Sequence, residues 1–502
     1  MKRLPLPLLA VLLSACTLAP HYQRPNTPVP DQWPADTAGQ STVAAPAGAS
    51  TAAPPAVSAD QIGWKDFFAD PRLRRLIEIA LENNRSLRIA VLNVAASQAQ
   101  FKVQRGALFP SISATGAGDV EKLPSHGALS LGSLGGSSGT VLPTGPSSTT
   151  FRYYSAGIGF TNYELDLFGR QRSLTTEAFE QYLARGETRR GTQISLVAEV
   201  ATDYFTVLAD QALVKLTEET LRNETESYDL TKVMFENDTT TLLSLRQAES
   251  SVDAARASLA QYQRQLAEDT HALTLVLGQE IPADLPPAQD LAAEGLLAEV
   301  PAGLPSDLLT HRPDIMSAEH TLRAANANIG AARAAFFPSI QLTGSGGTAS
   351  TRLDNLFSAG SGTWSFTPTI SLPLFTGGRN RANLDLAHIE KNIAVAQYEL
   401  TIQTAFREVS DALSARGTYV EQRGAQQELV AADAETYTLA QMRFRSGVDN
   451  YLATLDAQRS LYGAQQQLVT IRQAELANQV TLYKALGGGW EGLSASLRHP
   501  SP

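Results

Sequence analysis

The side chains that could perform catalysis are few and widely spaced in this 502-residue sequence. Its seven histidines form no HExxH motif or other metal-ligand spacing, and no nucleophile elbow occurs. Glu164 and Asp166 could imitate the paired carboxylates of a glycosidase, but polar residues at the end of a strand are the simpler interpretation. The glycine-rich run 132–139 lacks the Gly-Lys-Ser/Thr of a phosphate-binding loop. We therefore expect neither an enzyme nor a bound metal or organic cofactor.

The single cysteine is the one residue with a specific chemistry. A basic start and a short apolar stretch, 4–13, are typical of a secretory signal and too short to cross a bilayer. The run Leu13-Ser14-Ala15-Cys16 is similar to the bacterial lipobox, so we expect residues 1–15 to be a lipoprotein signal peptide and Cys16 to carry a covalent lipid. The alternative is a buried cysteine that happens to follow small residues.

Composition excludes several classes of protein. The formal charge is −10 and becomes −12 once the two basic residues of the signal are removed (−10 − 2), which argues against nucleic-acid binding. A single cysteine excludes an internal disulfide framework. The sequence contains no run of about 18 apolar residues, so it predicts no membrane-spanning helix. Residues 16–60, rich in Pro, Ala, Ser and Thr, are typical of a lipidated N-terminus followed by an extended linker.

The remainder of the chain contains two similar halves. Residues 109–112 recur as 337–340, and 165–170 recur loosely as 372–379. From Tyr228 to Gly278 the apolar positions recur without gaps, 209 residues later, as Tyr437 to Gly487. Three matches in the same order indicate a tandem duplication. We divide the chain into a first repeat, 61–290, a second repeat, 291–490, and a C-terminal tail, 491–502.

Each repeat has the pattern helix, strand, loop, strand, long helix, turn, helix. The first helix, predicted over 73–108, ends at Pro110 because a proline restricts the preceding residue to extended geometry. Alternation predicts four strands, near residues 111–120, 151–165, 339–350 and 364–374, with lengths that match transmembrane β-strands. Long helices are predicted over 174–277 and 382–486, each interrupted by one turn.

The shorter, returning helix of each repeat has a strict seven-residue apolar period. This period predicts supercoiled helix pairs rather than helices packed on a globular core. The positions concerned are Leu245, Val252, Leu259, Leu266 and Leu273 in the first repeat, and Leu455, Tyr462, Val469, Leu476 and Tyr483 in the second.

Four strands cannot close a barrel, and an open sheet edge in lipid leaves backbone groups unpaired at several kcal/mol each. Closed membrane barrels begin at about eight strands, so we expect the chains to assemble. Two chains would give eight strands and a filled barrel, whereas three would give twelve strands and a lumen. If the protein conducts, an assembly of three chains is therefore favoured.

These features resemble the TolC-like outer-membrane factors, in particular the lipoprotein branch that serves drug-efflux pumps, over about residues 60–490. The resemblance implies a fold that is mainly α with membrane β: a homotrimeric twelve-stranded barrel in the outer membrane, with a helical tunnel in the periplasm. It also implies a periplasmic adaptor and a proton-driven inner-membrane transporter of the resistance-nodulation-division type as partners. The segments that carry the resemblance are Tyr163-Glu164-Leu165-Asp166-Leu167-Phe168-Gly169-Arg170, His311-Arg312-Pro313-Asp314-Ile315, Gly447-Val448-Asp449-Asn450-Tyr451-Leu452, Leu455-Asp456-Ala457-Gln458-Arg459-Ser460 and Ala485-Leu486-Gly487-Gly488-Gly489-Trp490.

In this family the tunnel narrows at its periplasmic end, and the resemblance assigns that constriction to the second-repeat turn. Leu452 matches the hydrophobic ring position, Asp456 the acidic one, and Arg459 a nearby arginine that supports the turn. Ala453 and Ser244 stand where some relatives carry further acids, so we expect a less acidic constriction here. The alternative is that Leu452 is a seam residue and Asp456 a solvated one.

Leu452 and Asp456 are four residues apart and so lie on one helical face. Three carboxylates spaced by about 9 Å would repel by about 0.5 kcal/mol per pair in water, which is too little to keep a channel shut. We therefore assign the steric block to three leucines. The expected function is an efflux channel; the alternatives are a duct for type I protein secretion and a non-conducting structural coiled-coil lipoprotein.

Overall fold

The structure is a computed structural model that describes residues 17–30, 32–33, 62–123, 149–293, 297–298, 300 and 308–488. Cys16, the signal peptide and the C-terminal tail therefore lie outside the described residues, as do most of the linker and of the loop between the first two strands. Nine α-helices and four strands are described in the following order. They are α1 Trp64–Phe67, α2 Pro71–Asn83, α3 Arg85–Gly106, β1 Ile112–Leu123, β2 Thr149–Leu165, α4 Arg170–Glu236, α5 Leu242–Leu277, α6 Leu308–His311, α7 Pro313–Ala334, β3 Ser339–Ser350, β4 Gly362–Ser371, α8 Arg379–Arg445 and α9 Tyr451–Ala485.

The four strands form one antiparallel sheet in the order β1-β2-β3-β4. Four strands per chain were predicted, and this part of the predicted fold class is confirmed. β4 ends at Ser371, three residues earlier than expected, because Pro373 lacks an N–H and restricts Leu372. β1 and β4 are the edges of this sheet, and each presents an unpaired row of backbone groups.

The helix predicted over 73–108 is two helices, and Asn84 separates them. Asn84 is extended, with ψ 128°, and its side chain has two roles. Oδ1 accepts a hydrogen bond from Leu87 N at 2.9 Å and so caps α3, while Nδ2 donates to Val276 O at 2.8 Å. The side chain thus satisfies backbone groups at the start of one helix and near the end of another, which a periodicity argument cannot detect.

The two longest helices, α4 and α8, have 67 residues each, or about 100 Å at 1.5 Å per residue. The seven-residue positions of α5 and α9 are all buried or half-buried, as the coiled-coil pattern predicted. No helix among the described residues combines the length and apolar character that crossing a bilayer requires.

The chain divides into two compact units. The first comprises residues 1–23, 98–180 and 323–393 and contains the sheet; the second comprises 24–97, 181–322 and 394–502 and contains both helix–helix turns. In the core of the second unit, the rings of Phe67 and Tyr483 stack at 4.0 Å. Close by in sequence, buried Asp70 caps α2 and accepts a hydrogen bond from Tyr204 Oη at 2.6 Å.

Arg312, from the sequence segment 311–315, joins three helices of the second unit. Its guanidinium is buried and binds the carboxylates of Asp314 and Glu408 at 2.6 and 2.8 Å. It also donates to Ala485 O at 2.9 Å, at the C-terminus of α9. A planar five-donor group suits this junction because it can bind two carboxylates and a carbonyl together. The segment is therefore structural in this chain.

Candidate functional site

One face of the sheet is almost entirely apolar. The register fixes which residues share it: Ile112 pairs with Phe160, which pairs with Gly344, which pairs with Phe366. Several of these side chains are strongly exposed, for example Trp364 at 80%. An exposed apolar surface of this extent requires an apolar neighbour. The apolar part of this face comprises Ile112, Ala114, Gly116, Gly118 and Val120 on β1, Tyr154, Ala156, Ile158, Phe160, Tyr163 and Leu165 on β2, Ile340, Leu342, Gly344 and Gly346 on β3, and Trp364, Phe366, Pro368 and Ile370 on β4.

A β-bulge in β2 keeps this face apolar. The register shifts between Phe160 and Tyr163, and Asn162 adopts a left-handed conformation with φ 56°. Without the extra residue, the alternation would place Asn162 and Glu164 on the apolar face. With it, Tyr163 lies opposite Leu342 and Glu164 falls on the other face. The bulge therefore keeps the apolar side chains of β2 on one face of the sheet.

The opposite face of the sheet is polar. It carries serines and threonines on all four strands, and the hydroxyls of Ser345 and Ser365 hydrogen-bond across it at 2.8 Å. Asp119 and Glu121 of β1 belong to this face as well. A sheet that is apolar on one side and polar on the other fits a wall with lipid outside and water inside.

Glu164 and Asp166, the pair considered as catalytic carboxylates, each bind an arginine. Glu164 accepts hydrogen bonds from Arg170 at 2.9 Å and Gln171 at 2.8 Å, and Asp166 accepts one from the backbone N of Arg172 at 2.9 Å. These contacts join the end of β2 to the first turn of α4, where a carboxylate also stabilises the helix N-terminus. Among the described residues, no group of three or more His, Cys, Asp or Glu side chains is placed to hold a metal ion.

The turn between α8 and α9 is closed by an ion pair and a cap. Arg443 Nε and Nη2 bind Asp449 Oδ2 and Oδ1 at 2.5 and 3.0 Å, and this bidentate contact lowers the pKa of the Asp449 carboxyl. Gly447 supplies the left-handed residue, with φ 70°. Asn450 caps α9 by accepting from Ala453 N at 3.4 Å.

The structure brings the three predicted constriction residues to the first turns of α9. Leu452 is 44% exposed, and Asp456 and Arg459 are exposed. Their neighbours Tyr451 and Leu455 are instead buried with Phe444 and Ala248. The helix therefore divides cleanly into an anchored face and a free face, and Leu452 and Asp456 occupy the free face. Cys16, the predicted lipidation site, lies outside the described residues.

The comparison with known proteins assigns this arrangement to a family. The family described as Outer membrane efflux protein matches residues 76–279 and 304–488. The antibiotic efflux pump outer membrane protein ArpC of Pseudomonas putida is 50% identical over 481 residues, which cover 96% of this chain and 94% of that protein. This chain belongs to the outer membrane efflux protein family.

Solved structures of similar fold agree with this assignment. A membrane protein from Pseudomonas aeruginosa matches with a TM-score of 0.83 and 40% identity, covering 96% of this chain and all of that one. The open state of the outer membrane channel MtrE of Neisseria gonorrhoeae matches with a TM-score of 0.81 and 36% identity, covering 95% and 99%. The predicted family, efflux function and outer-membrane location are confirmed, and the apolar face of the sheet in this outer membrane efflux protein has the character that contact with lipid requires.

Glu224 of α4 is a residue of this efflux protein that the sequence analysis did not select. It is only 4% exposed and its Oε2 has no hydrogen-bond partner among the described residues. Burial raises the pKa of Glu224 to about 7, and the positive charge of Arg459 partly opposes the rise. Arg459 thus acts on a buried acid of α4, and nothing in the spacing of a long polar helix singles that acid out.

Two further acids of α4 have raised pKa values. Burial, with the charges of Glu199 and Asp269, raises the pKa of Asp203 to about 6. Burial and a hydrogen bond with Asp269 raise the pKa of Asp210 to about 7. These groups lie in the second unit, away from the residues that sequence reasoning selected.

Proposed function

We propose that three copies of this chain pool their strands into a twelve-stranded barrel, continue as a helical tunnel, and passively conduct drugs or other small molecules out of the cell. An adaptor in the periplasm and a proton-driven transporter of the resistance-nodulation-division type supply the cargo. The supporting observation is the four-stranded sheet with an apolar and a polar face and two open edges. Such edges are costly in lipid unless other protomers pair them.

Drug efflux is preferred over the alternatives because a relative with 50% identity is named as an antibiotic efflux protein. A duct for protein secretion would use the same fold with a different cargo. A role as a structural coiled-coil lipoprotein would not explain why the chain contains a sheet with one apolar and one polar face.

Single-channel recording tests the proposal. The purified trimer, reconstituted in a planar bilayer, is expected to give stepwise currents in multiples of one unit conductance. Insertion without any conductance would contradict the channel. Deletion of the gene is expected to raise sensitivity to dyes, detergents and antibiotics. Unchanged sensitivity together with loss of a secreted protein would instead favour the secretion duct.

The proposed acidic ring at the constriction can be tested by removing its negative charge and measuring block by divalent cations. Three copies of Asp456 would bind multivalent cations, and a divalent ion near one carboxylate gains about 1.5 kcal/mol in water. Asp456→Ala removes all three carboxylates of a trimer and is therefore expected to weaken block by divalent cations by at least about tenfold. Asp253→Ala removes an exposed acid of α5 and serves as the control. If only the control relieved block, the ring would have been assigned to the wrong residues.

The lipid on Cys16 is also part of the proposal, and the residues that follow it support a defined position. In the first unit, Leu18 O and Pro20 O accept hydrogen bonds from Arg333 at 3.2 Å and Asn326 at 2.8 Å. Thr17 Oγ1 lies 3.4 Å from Ser173 Oγ. The chain next to Cys16 is thereby fixed beside α4 and α7, close in sequence to the ends of β2 and β3.

A closed barrel is held in the membrane far more firmly than one acyl chain can hold it. The lipid is therefore assigned to sorting or assembly. Cys16→Ala, expressed behind a standard cleavable signal, is expected to insert and conduct like the wild type while lacking the mass of the lipid. Failure of the variant to insert would contradict this assignment.

A further inference from the structure

Two basic residues stand on the apolar face of the sheet at the end farthest from the helices. Arg152 lies opposite Val120, and Lys122 lies opposite Thr150, so both side chains project from the same face as Tyr154 and Ile158. Both are exposed. On neighbouring strands and one row apart, they form a pair of positive charges on a surface that otherwise carries none.

Among the residues that the structure describes, none neutralises this pair. Neither residue forms an ion pair within the described part of the chain, and the loop 124–148 that follows β1 contains no Asp or Glu. The nearest acids in sequence, Asp119 and Glu121, lie on the opposite face of the sheet. In the β3–β4 connection, Asp354 is held by Arg352 at 2.6 Å. Strand β4, which would adjoin β1 in a closed barrel, has no charged residue.

The position of the pair along the strands matches a membrane boundary. From the row of Ile340 to the row of Tyr154 and Ser350 the apolar face has no charge, over about 34 Å of strand. With the usual tilt of such strands this gives a band about 25 Å tall. The ring of Tyr154 lies over Gly118 on this face and marks the upper edge of the band, as interfacial aromatics do. Arg152 is the next residue beyond it on the same face.

We propose that Lys122 and Arg152 of each protomer bind the phosphate groups of anionic lipids in the outer leaflet. The opposite face of β1 carries Asp119 and Glu121. At this end of the strands, the positive charges therefore face lipid and the negative charges face water. The ligand is a lipid rather than free phosphate, since the pair is contiguous with the lipid-facing surface. The inference rests on the barrel of the proposed function but not on conduction through it.

Lipid selectivity measured by fluorescence quenching tests this site. The trimer is reconstituted in phosphatidylcholine vesicles containing brominated phosphatidylglycerol or, separately, brominated phosphatidylcholine, and quenching of the exposed Trp364 reports lipid contact. Each cationic side chain near an anionic lipid surface contributes up to about fivefold in binding. The wild type is expected to prefer phosphatidylglycerol, and Lys122→Gln with Arg152→Gln is expected to bring the preference to about one.

The matched control changes the same strand on the other face. Asp119→Asn with Glu121→Gln alters two charges of β1 and is expected to keep the preference for phosphatidylglycerol. Equal preference in the wild type and the Lys122/Arg152 variant would overturn the site, as would a preference abolished by inorganic phosphate at matched ionic strength. Both variants are expected to conduct in pure phosphatidylcholine, so a loss of conduction in the wild type would count against the channel and not against this site.

Discussion

The two helix–helix turns of the second unit have the same backbone conformation at two key positions. The first turn, 237–241, and the second, 446–450, are separated by the 209-residue offset of the repeats. Asp238 and Gly447, at equivalent positions, are both left-handed, with φ 55° and 70°. Thr241 and Asn450, again equivalent, cap the helices that follow. The chain reversal therefore depends on a left-handed residue and a cap, and both repeats supply them.

The turns differ in charge. The second turn has the Arg443–Asp449 ion pair, where the first has Met234 and Thr240. The exposed face of the second returning helix carries Asp456 and Arg459, and the equivalent residues of the first are Gln247 and Ser250. The same backbone thus supports one turn that is closed by an ion pair and one that has no ion pair at the equivalent positions. We infer that the geometry serves both repeats, whereas control of the channel is concentrated in the second.

The largest expected effect is on conductance, from the leucines at the two turns. Leu243 and Leu452 are equivalent and exposed, at 68% and 44%. If three Leu452 side chains close the tunnel, Leu452→Ala removes apolar contact worth about 1.5 kcal/mol or more and is expected to raise basal single-channel conductance about tenfold. Leu243→Ala is expected to leave it unchanged.

If Leu243→Ala raised the conductance as much as Leu452→Ala, the proposed difference between the two turns would be wrong. In that case both turns would line the narrowest point, and the charge of the second would not mark it. Because both leucines are exposed, neither substitution creates a cavity in the core. A change in conductance can therefore be assigned to the channel entrance and not to unfolding.

The next effect in size is the pH dependence of stability conferred by Glu224. Its pKa of about 7 in the folded protein exceeds the ordinary value of 4.5, so the folded state binds the proton more tightly than the unfolded state. Stability then falls as pH rises from about 4.5 to 7 and is level above that. Glu224→Gln removes this loss and is expected to be more stable than the wild type at pH 8, by up to about 3 kcal/mol, but equal to it near pH 4.5.

Thermal midpoints of the helical circular dichroism signal across this pH range measure the effect. Asp203 and Asp210 add pH dependence of their own to both proteins, so the informative quantity is the difference between the two curves. Arg459→Ala supplies the matched variant. It removes the charge that opposes the shift in the pKa of Glu224 and should extend the falling limb to higher pH. Parallel curves for the wild type and Glu224→Gln would show that Glu224 does not titrate in this range.

Much of this architecture was predictable because it depends on periodicity. A strict seven-residue pattern and short alternating segments report local packing, which neighbouring residues in the sequence determine. The break at Asn84 and the bulge at Asn162 were not predictable, since each depends on a partner distant in sequence. Asn84 binds Val276, and Asn162 N donates to Thr343 Oγ1 at 3.3 Å.

The candidate site shows the same limit. Leu452, Asp456 and Arg459 were found because their order along one helix matches a family pattern, and the structure places the first two on the free face of that helix. Glu224 was not found because it is one of many acids in a 67-residue polar helix. Only packing distinguishes it, by burying its carboxylate near an arginine of another helix.

The smallest expected effect comes from the ion pair that distinguishes the second turn. Arg443 and Asp449 are partly exposed, so solvent screens their attraction and global stability should barely change. The local effect is more specific, because Gly447 N and Val448 N donate to Phe444 O and Arg443 O at 2.9 Å inside the loop that the pair closes. Asp449→Asn is expected to speed hydrogen exchange at these two amides and to leave the first turn unaffected.

The pH dependence of this difference follows from the lowered pKa of Asp449. The pair contributes above the ordinary carboxyl pKa of 3.8 and is lost as pH falls through the lower value in the folded protein, so the wild type and Asp449→Asn should converge in acid. The first turn offers the reverse experiment. Met234→Arg with Thr240→Asp places the pair at the equivalent positions and should slow exchange there. If exchange did not slow, the shared backbone would not be sufficient to form the ion pair, and the two turns would differ in more than charge.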